Sequence, residues 1–100
     1  MTFFQMLQTI GLPCAYSHFK KPQAPPFLVY IGTGENSFEA DNTKYYRQPT
    51  YQVEYYFTEK DPATETLIED TLLANGCMYE KSDDTYIESE GVFVIYYTIF

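Results

Sequence analysis

The sequence has no tryptophan, one histidine, two cysteines and only six lysines and arginines in 100 residues. Two cysteines, Cys14 and Cys77, are too few for a disulfide scaffold, and a reducing, intracellular site of synthesis is the simpler expectation. One histidine and two cysteines do not make a structural zinc site unless carboxylates complete it. No apolar run reaches the roughly 18 residues that a membrane span needs. The opening MTFFQMLQTIGLPC lacks the basic region of a secretory leader and carries helix punctuation instead. Fourteen acids outnumber the bases, giving a net charge of −8. That balance disfavours affinity for DNA phosphates.

What is present is aromatic and unevenly charged. Eleven tyrosines and eight phenylalanines suit strands, and suit surfaces that are half apolar and half wet. Phe, Ile, Leu and Val number 24, enough to argue against disorder, and the length suits a single domain over 1–100. Residues 1–50 carry a charge of +1 and residues 51–100 a charge of −9, with Lys60 and Lys81 the bases of the second half.

The local pattern predicts a short first helix. Thr2 stands at its N-cap, Phe3, Met6, Leu7 and Ile10 share a face, Gly11 takes a left-handed position, Leu12 folds back on Leu7, and Pro13 prevents continuation. Residues 13–26 hold four prolines and read as an irregular or extended connection. Phe27–Thr33 reads as a buried strand. Gly34–Thr50 is a 17-residue excursion or arm, functional or holding a short strand at Lys44–Arg47, with Pro49 marking an edge. Tyr51–Thr58 alternates as a half-buried strand.

Asp61 and Pro62 start a second helix, with Glu65 and Glu69 complementing its dipole, and Asn75-Gly76 ends it. Leu67, Ile68, Thr71 and Leu72 form its expected inner face, and Leu73 projects away as a candidate subunit contact. Cys77–Lys81 and Val92–Ile99 make a closing antiparallel hairpin around the acidic turn Ser82–Gly91. The order is α-β-(β)-β-α-β-β, an α+β fold with two helices on a mostly antiparallel sheet.

Few residues invite chemistry. Gly32-Thr33-Gly34 lacks the third glycine and the lysine of a phosphate loop, so it reads as a strand-ending turn. Cys14 and His18 stand four apart with no third group to orient them, and Cys14 reads as a small buried hydrophobe. Asp83, Asp84, Glu88 and Glu90 lack the spacing of a calcium loop. They remain either a solvated hairpin tip or a surface that repels or mimics an anion. Paired-carboxylate glycoside chemistry needs a polar concave site that this apolar, tyrosine-rich sheet does not advertise. No enzyme and no cofactor are expected. Lys44, Tyr45, Tyr46 and Arg47 combine the residue types enriched at interfaces, against the alternatives of an ordinary edge strand or a single-stranded nucleic-acid contact.

The runs Leu12-Pro13-Cys14-Ala15-Tyr16-Ser17-His18-Phe19, Pro25-Pro26-Phe27-Leu28-Val29-Tyr30, Tyr55-Tyr56-Phe57-Thr58-Glu59-Lys60-Asp61-Pro62 and Tyr79-Glu80-Lys81-Ser82, with Tyr86-Ile87-Glu88-Ser89-Glu90, span nearly the whole chain. Together they resemble the tail completion or tail terminator proteins of siphophages and prophages of Gram-positive bacteria. The resemblance implies an α+β protomer in a hexameric ring at the tail–neck junction of the virion, made in the host cytoplasm. It implies contacts to the major tail tube protein below and a head-side neck or stopper protein above, with DNA passing through unbound. On that expectation Asp83, Asp84, Glu88 and Glu90 line the channel, and Tyr45, Tyr46 and Arg47 meet a neighbouring subunit or the tube. The other readings are an acidic DNA-mimic inhibitor and a different neck component, such as a stopper or adaptor.

Overall fold

Alternation along Tyr51–Phe57 sets the layout, because odd-numbered side chains point into a helix layer and even-numbered ones to the opposite face. A computed structural model describes residues 1–40 and 44–100, with backbone alone at 35–40 and 44–49. Its elements are α1 (Phe3–Gln8), β1 (Cys14–Tyr16), β2 (Phe27–Ala40), β3 (Lys44–Phe57), α2 (Pro62–Ala74), β4 (Tyr79–Lys81), β5 (Thr85–Ile87) and β6 (Val92–Ile99). The fold is α+β. Six strands form one mixed sheet in the order β1-β2-β3-β6-β4, with β5 also paired to β6. β1 and β2 run parallel and every other pairing is antiparallel.

Both helices lie on one face. Met6, Leu7 and Ile10 at the N-terminus and Ile68 and Leu72 of α2 pack with Leu28, Val53, Tyr55, Phe57, Ile95, Tyr97 and Ile99 in a single core. Burying each such aliphatic side chain contributes about 1.5–3 kcal/mol. Thr2 caps α1 as expected, in a reciprocal box in which its hydroxyl accepts from the Gln5 amide and the Gln5 side chain accepts from the Thr2 amide. Gly11 has φ +94°, and Leu12 packs against the core that holds Leu7. α2 ends in a Schellman motif. The Cys77 amide donates to Leu72 O at 2.9 Å and the Gly76 amide to Leu73 O at 3.1 Å, with Gly76 at φ +78°.

Five expectations require correction. Residues 13–26 are extended in part and more than a connection, since Cys14–Tyr16 pairs with Leu28–Tyr30 as a parallel edge strand. Gly34–Ala40 and Lys44–Thr50 are neither a loop nor a strand confined to Lys44–Arg47. The β2–β3 ladder continues through them to Ala40 opposite Lys44, past a register shift between Gly32 and Gly34. The two Thr hydroxyls at that shift are joined, Thr33 Oγ1 to Thr50 Oγ1 at 2.8 Å.

The inner face of α2 is also displaced by one position. Leu67 is 47% exposed, whereas Glu65 is only 4% exposed and occupies the inward stripe with Ile68 and Leu72. Asp61 stands at the N-cap but its side chain caps no backbone amide; its Oδ2 accepts from the Thr64 hydroxyl at 2.7 Å. Finally, the Ser82–Gly91 segment contains a strand, β5. β4 and β5 share the same edge of β6 and are one residue out of register with each other, so Ser82–Asp84 is a break in a single antiparallel hairpin arm. Ser82 bridges the break. Its amide donates to Tyr96 O at 2.9 Å and its Oγ accepts from the Tyr96 amide at 2.8 Å.

Candidate interaction surfaces

The longest free feature is a ribbon. β6 accompanies β3 only over Tyr51–Phe57, and β1 accompanies β2 only over Leu28–Tyr30. From Gly34–Ala40 opposite Lys44–Thr50, the two strands have no third strand among the described residues. Seven pairs at about 3.3 Å each make a ribbon of roughly 23 Å. It accounts for the long axis of a molecule measuring 50 × 25 × 25 Å. A register shift at its base adds twist just where the flanking strands end. The side chains of Lys44, Tyr45, Tyr46 and Arg47 lie outside the described residues. Their backbone belongs to β3, with Tyr46 opposite Phe38 and Arg47 opposite Ser37.

At the base of the ribbon, an aromatic cluster joins α1 to the sheet. Phe3 stacks on Tyr51 with ring centroids 4.0 Å apart, and Tyr30 takes Phe3 at 5.7 Å and Tyr16 at 5.0 Å. Tyr16 Oη accepts from the Gly32 amide at 3.2 Å, so the edge strand β1 grips β2 at the start of the twist.

The acidic residues are separated by the structure rather than gathered. Asp83 and Asp84 lie in the break before β5, and Glu88 and Glu90 in the turn after it, all exposed. Asp84 is bound to Lys60 Nζ at 2.9 Å. Glu90 reaches the opposite face, where with His18, Lys20 and Lys21 it lines a cleft of about 540 Å³. The wall of that cleft is aromatic, with Phe19 edge-on to Phe27 at 5.2 Å and Phe27 stacked on Tyr56 at 4.9 Å. Burial, together with the hydrogen bond from Tyr56 to Glu54 at 2.7 Å, raises the Tyr56 phenol well above its usual range. Among the described residues no three His, Cys, Asp or Glu side chains converge as metal ligands.

The other sequence candidates occupy distinct places. Leu73 is 51% exposed on α2, as its spacing implies. Cys14 is half-buried in β1, where burial pushes its thiol up to about 11, and the His18 ring contacts Ser17 Oγ at 3.2 Å. Gly32 and Gly34 lie within β2 at the register shift, away from any helix N-terminus.

The most tightly built polar cluster was not apparent from the sequence. Glu65 is held between two lysines, Lys81 Nζ at 2.9 Å from Oε1 and Lys60 Nζ at 2.7 Å from Oε2. The second contact is coulombic and off the hydrogen-bonding angle, leaving Oε2 without a directed donor. Lys81 also meets Glu69 Oε2 at 2.8 Å, and Tyr97 Oη donates to the same oxygen at 2.8 Å. Burial opposes ionisation of Glu69, but the bonds from Lys81 and Tyr97 outweigh it and hold the carboxyl below its usual range. The carboxylates of Glu65 and Asp84 beside it raise Lys60. For Lys81, burial acts the other way and is overcome by Glu69 and Glu65. A sequence signal did exist, since Glu65, Ile68, Glu69 and Leu72 fall at i, i+3, i+4 and i+7, one helical face.

The chain matches no protein-family model and no curated protein.

Proposed function

We propose that this chain is a structural subunit of a siphophage virion, assembled as a ring that caps the tail tube and joins it to the head connector. The observation that carries this reading is the two-stranded ribbon of Gly34–Ala40 and Lys44–Thr50, which projects beyond the third strand. An isolated hairpin is marginal in water, so a ribbon of this length is a surface for another chain to complete. Its sequence supplies Phe38, Tyr45, Tyr46 and Arg47, residue types that anchor interfaces. In the assembled ring these residues contact a neighbouring subunit or the tail tube protein, and the opposite side of the ring meets the head-side neck protein.

The exposed acids of the β5–β6 turn, Glu88 and Glu90, are assigned to the channel wall, where negative charge lets DNA pass without gripping it. Asp84 is committed to Lys60. A DNA mimic needs free acids spaced like phosphates over one face. Here Glu65, Glu69 and Asp84 are tied to lysines and Glu54 to Tyr56, so that reading is the weaker one.

The test is genetic. Phage lacking the protein should produce tails of uncontrolled length or tails that do not join filled heads, seen by electron microscopy. Supplying the Tyr45→Ala, Tyr46→Ala, Arg47→Ala variant should fail to restore joining. Normal virions in the absence of the protein would overturn the proposal, and heads that leak DNA beside tails of normal length would assign it to the stopper role instead.

A further inference from the structure

The two outer edges of the sheet differ in charge and are alike in strand length. β1 is the outermost strand on one side, and β4 with β5 is outermost on the other. Each is three residues long and has a free backbone edge among the described residues. Each also carries an exposed large side chain: Tyr16 on β1 is 54% exposed, Tyr86 on β5 is 54% exposed, and Met78 just before β4 is 66% exposed. Tyr16 and Tyr86 share the helix-bearing face, since they are the cross-strand partners of Tyr30 and Phe93.

The charges beside these edges are opposite. β1 runs into His18, Lys20 and Lys21, which are exposed, and neither lysine has an ion-pair partner among the described residues. Glu90 lines the same cleft as this basic segment. The other edge bears Glu80 on β4 and Asp83 in the break, both exposed and both without an ion-pair partner among the described residues. Lys60 and Lys81, the bases nearest to that edge, are already engaged by Glu65, Glu69 and Asp84. Among the described residues they leave Glu80 and Asp83 without a paired base.

We propose that copies of this chain associate head to tail through these edges, the β1–Lys21 side of one against the β4–β5 side of the next. A surface complementary to a different surface of the same molecule makes a heterologous contact, which closes into a ring when the rotation permits. The tyrosines and Met78 supply the apolar centre and the charges fix the partner edge. The inference rests on the ring reading and deepens it, because it names the contact between subunits and leaves the ribbon free for the tail tube.

Two exposed double reversals test it: Lys20→Glu with Lys21→Glu, and Glu80→Lys with Asp83→Lys. Sedimentation and light scattering at low salt should show the wild-type chain as an oligomer that loosens as salt rises. Each variant alone should self-associate at least about tenfold more weakly, since like charges then face each other. An equimolar mixture should recover wild-type assembly, because every contact in an alternating ring again joins opposite charges. Thermal melts check that both variants fold, and Tyr86→Ser, which should also weaken assembly, covers the case in which a reversal does not. A wild-type chain that stays monomeric, reversals that leave the oligomer intact, or a mixture that stays dissociated would each overturn the inference. An intact oligomer in both variants refutes these edges and leaves the tail-joining role standing, whereas normal virions without the protein refute that role and leave the association in place.

Discussion

Lys81 Nζ lies 2.9 Å from Glu65 Oε1, so a cation on a three-residue edge strand holds a carboxylate buried under the second helix. The same ammonium reaches Glu69 one turn later, and Lys60, just before the helix, completes the enclosure of Glu65. This cluster ties α2 to the acidic edge of the sheet.

Glu65→Gln should therefore destabilise the fold by about 1–3 kcal/mol, because it removes the negative partner of two lysines from a buried position. The lysines are partly exposed and regain water, which keeps the loss below that of a fully buried pair. Urea titration of the purified variant measures it, and an unchanged midpoint would show that the cluster contributes no net stability.

Stability should form a plateau with losses at both pH extremes. Glu69 titrates below its ordinary 4.5 in the folded protein, so its contribution is present above that value and is lost as the pH falls through the lowered one. Lys60 and Lys81 are raised above 10.5, so their contributions are complete below it and disappear as the pH rises through the raised values. Tyr97, raised by burial and by Glu69, adds to the alkaline loss above its ordinary 10. Melting temperatures across pH 3–12 report both limbs.

Gly76→Ala should cost about 1–2 kcal/mol through the backbone alone. Gly76 has φ +78°, and a methyl group placed there meets nothing within 4 Å. Chemical denaturation of the single variant separates this conformational cost from packing.

Replacing residues 36–48 with a two-residue turn should leave the domain folded, with a shift in melting temperature below about 4 °C. The buried core takes its β3 contribution from Val53, Tyr55 and Phe57, beyond the ribbon. Circular dichroism on heating shows whether the shortened chain melts as cooperatively as the full one.

Strong local signals were legible. The Thr2 cap, the Asn75-Gly76 stop, the alternation of Tyr51–Phe57 and the apolar strand Val92–Ile99 all act within a few residues of one another, and the structure places each of them as the pattern implies. The ribbon was not legible because polar residues and turn chemistry at 34–50 weaken local strand preference, and pairing with the opposite strand decides the matter. β1 was hidden for the same reason, among prolines, until Leu28–Tyr30 supplied its partner.

The sequence by itself determined the shortage of bases, the confinement of net negative charge to the second half and the helix and strand periods. Only the tertiary structure decided where that charge goes. With two lysines among eleven acids in residues 51–100, the fold places both cations at Glu65, Glu69 and Asp84, where partial burial strengthens attraction. Of the other acids, Glu88 and Glu90 stand in the turn after β5 and Glu80 on an outer strand opposite the basic edge, because strand order, which is non-local, determines which residues become neighbours.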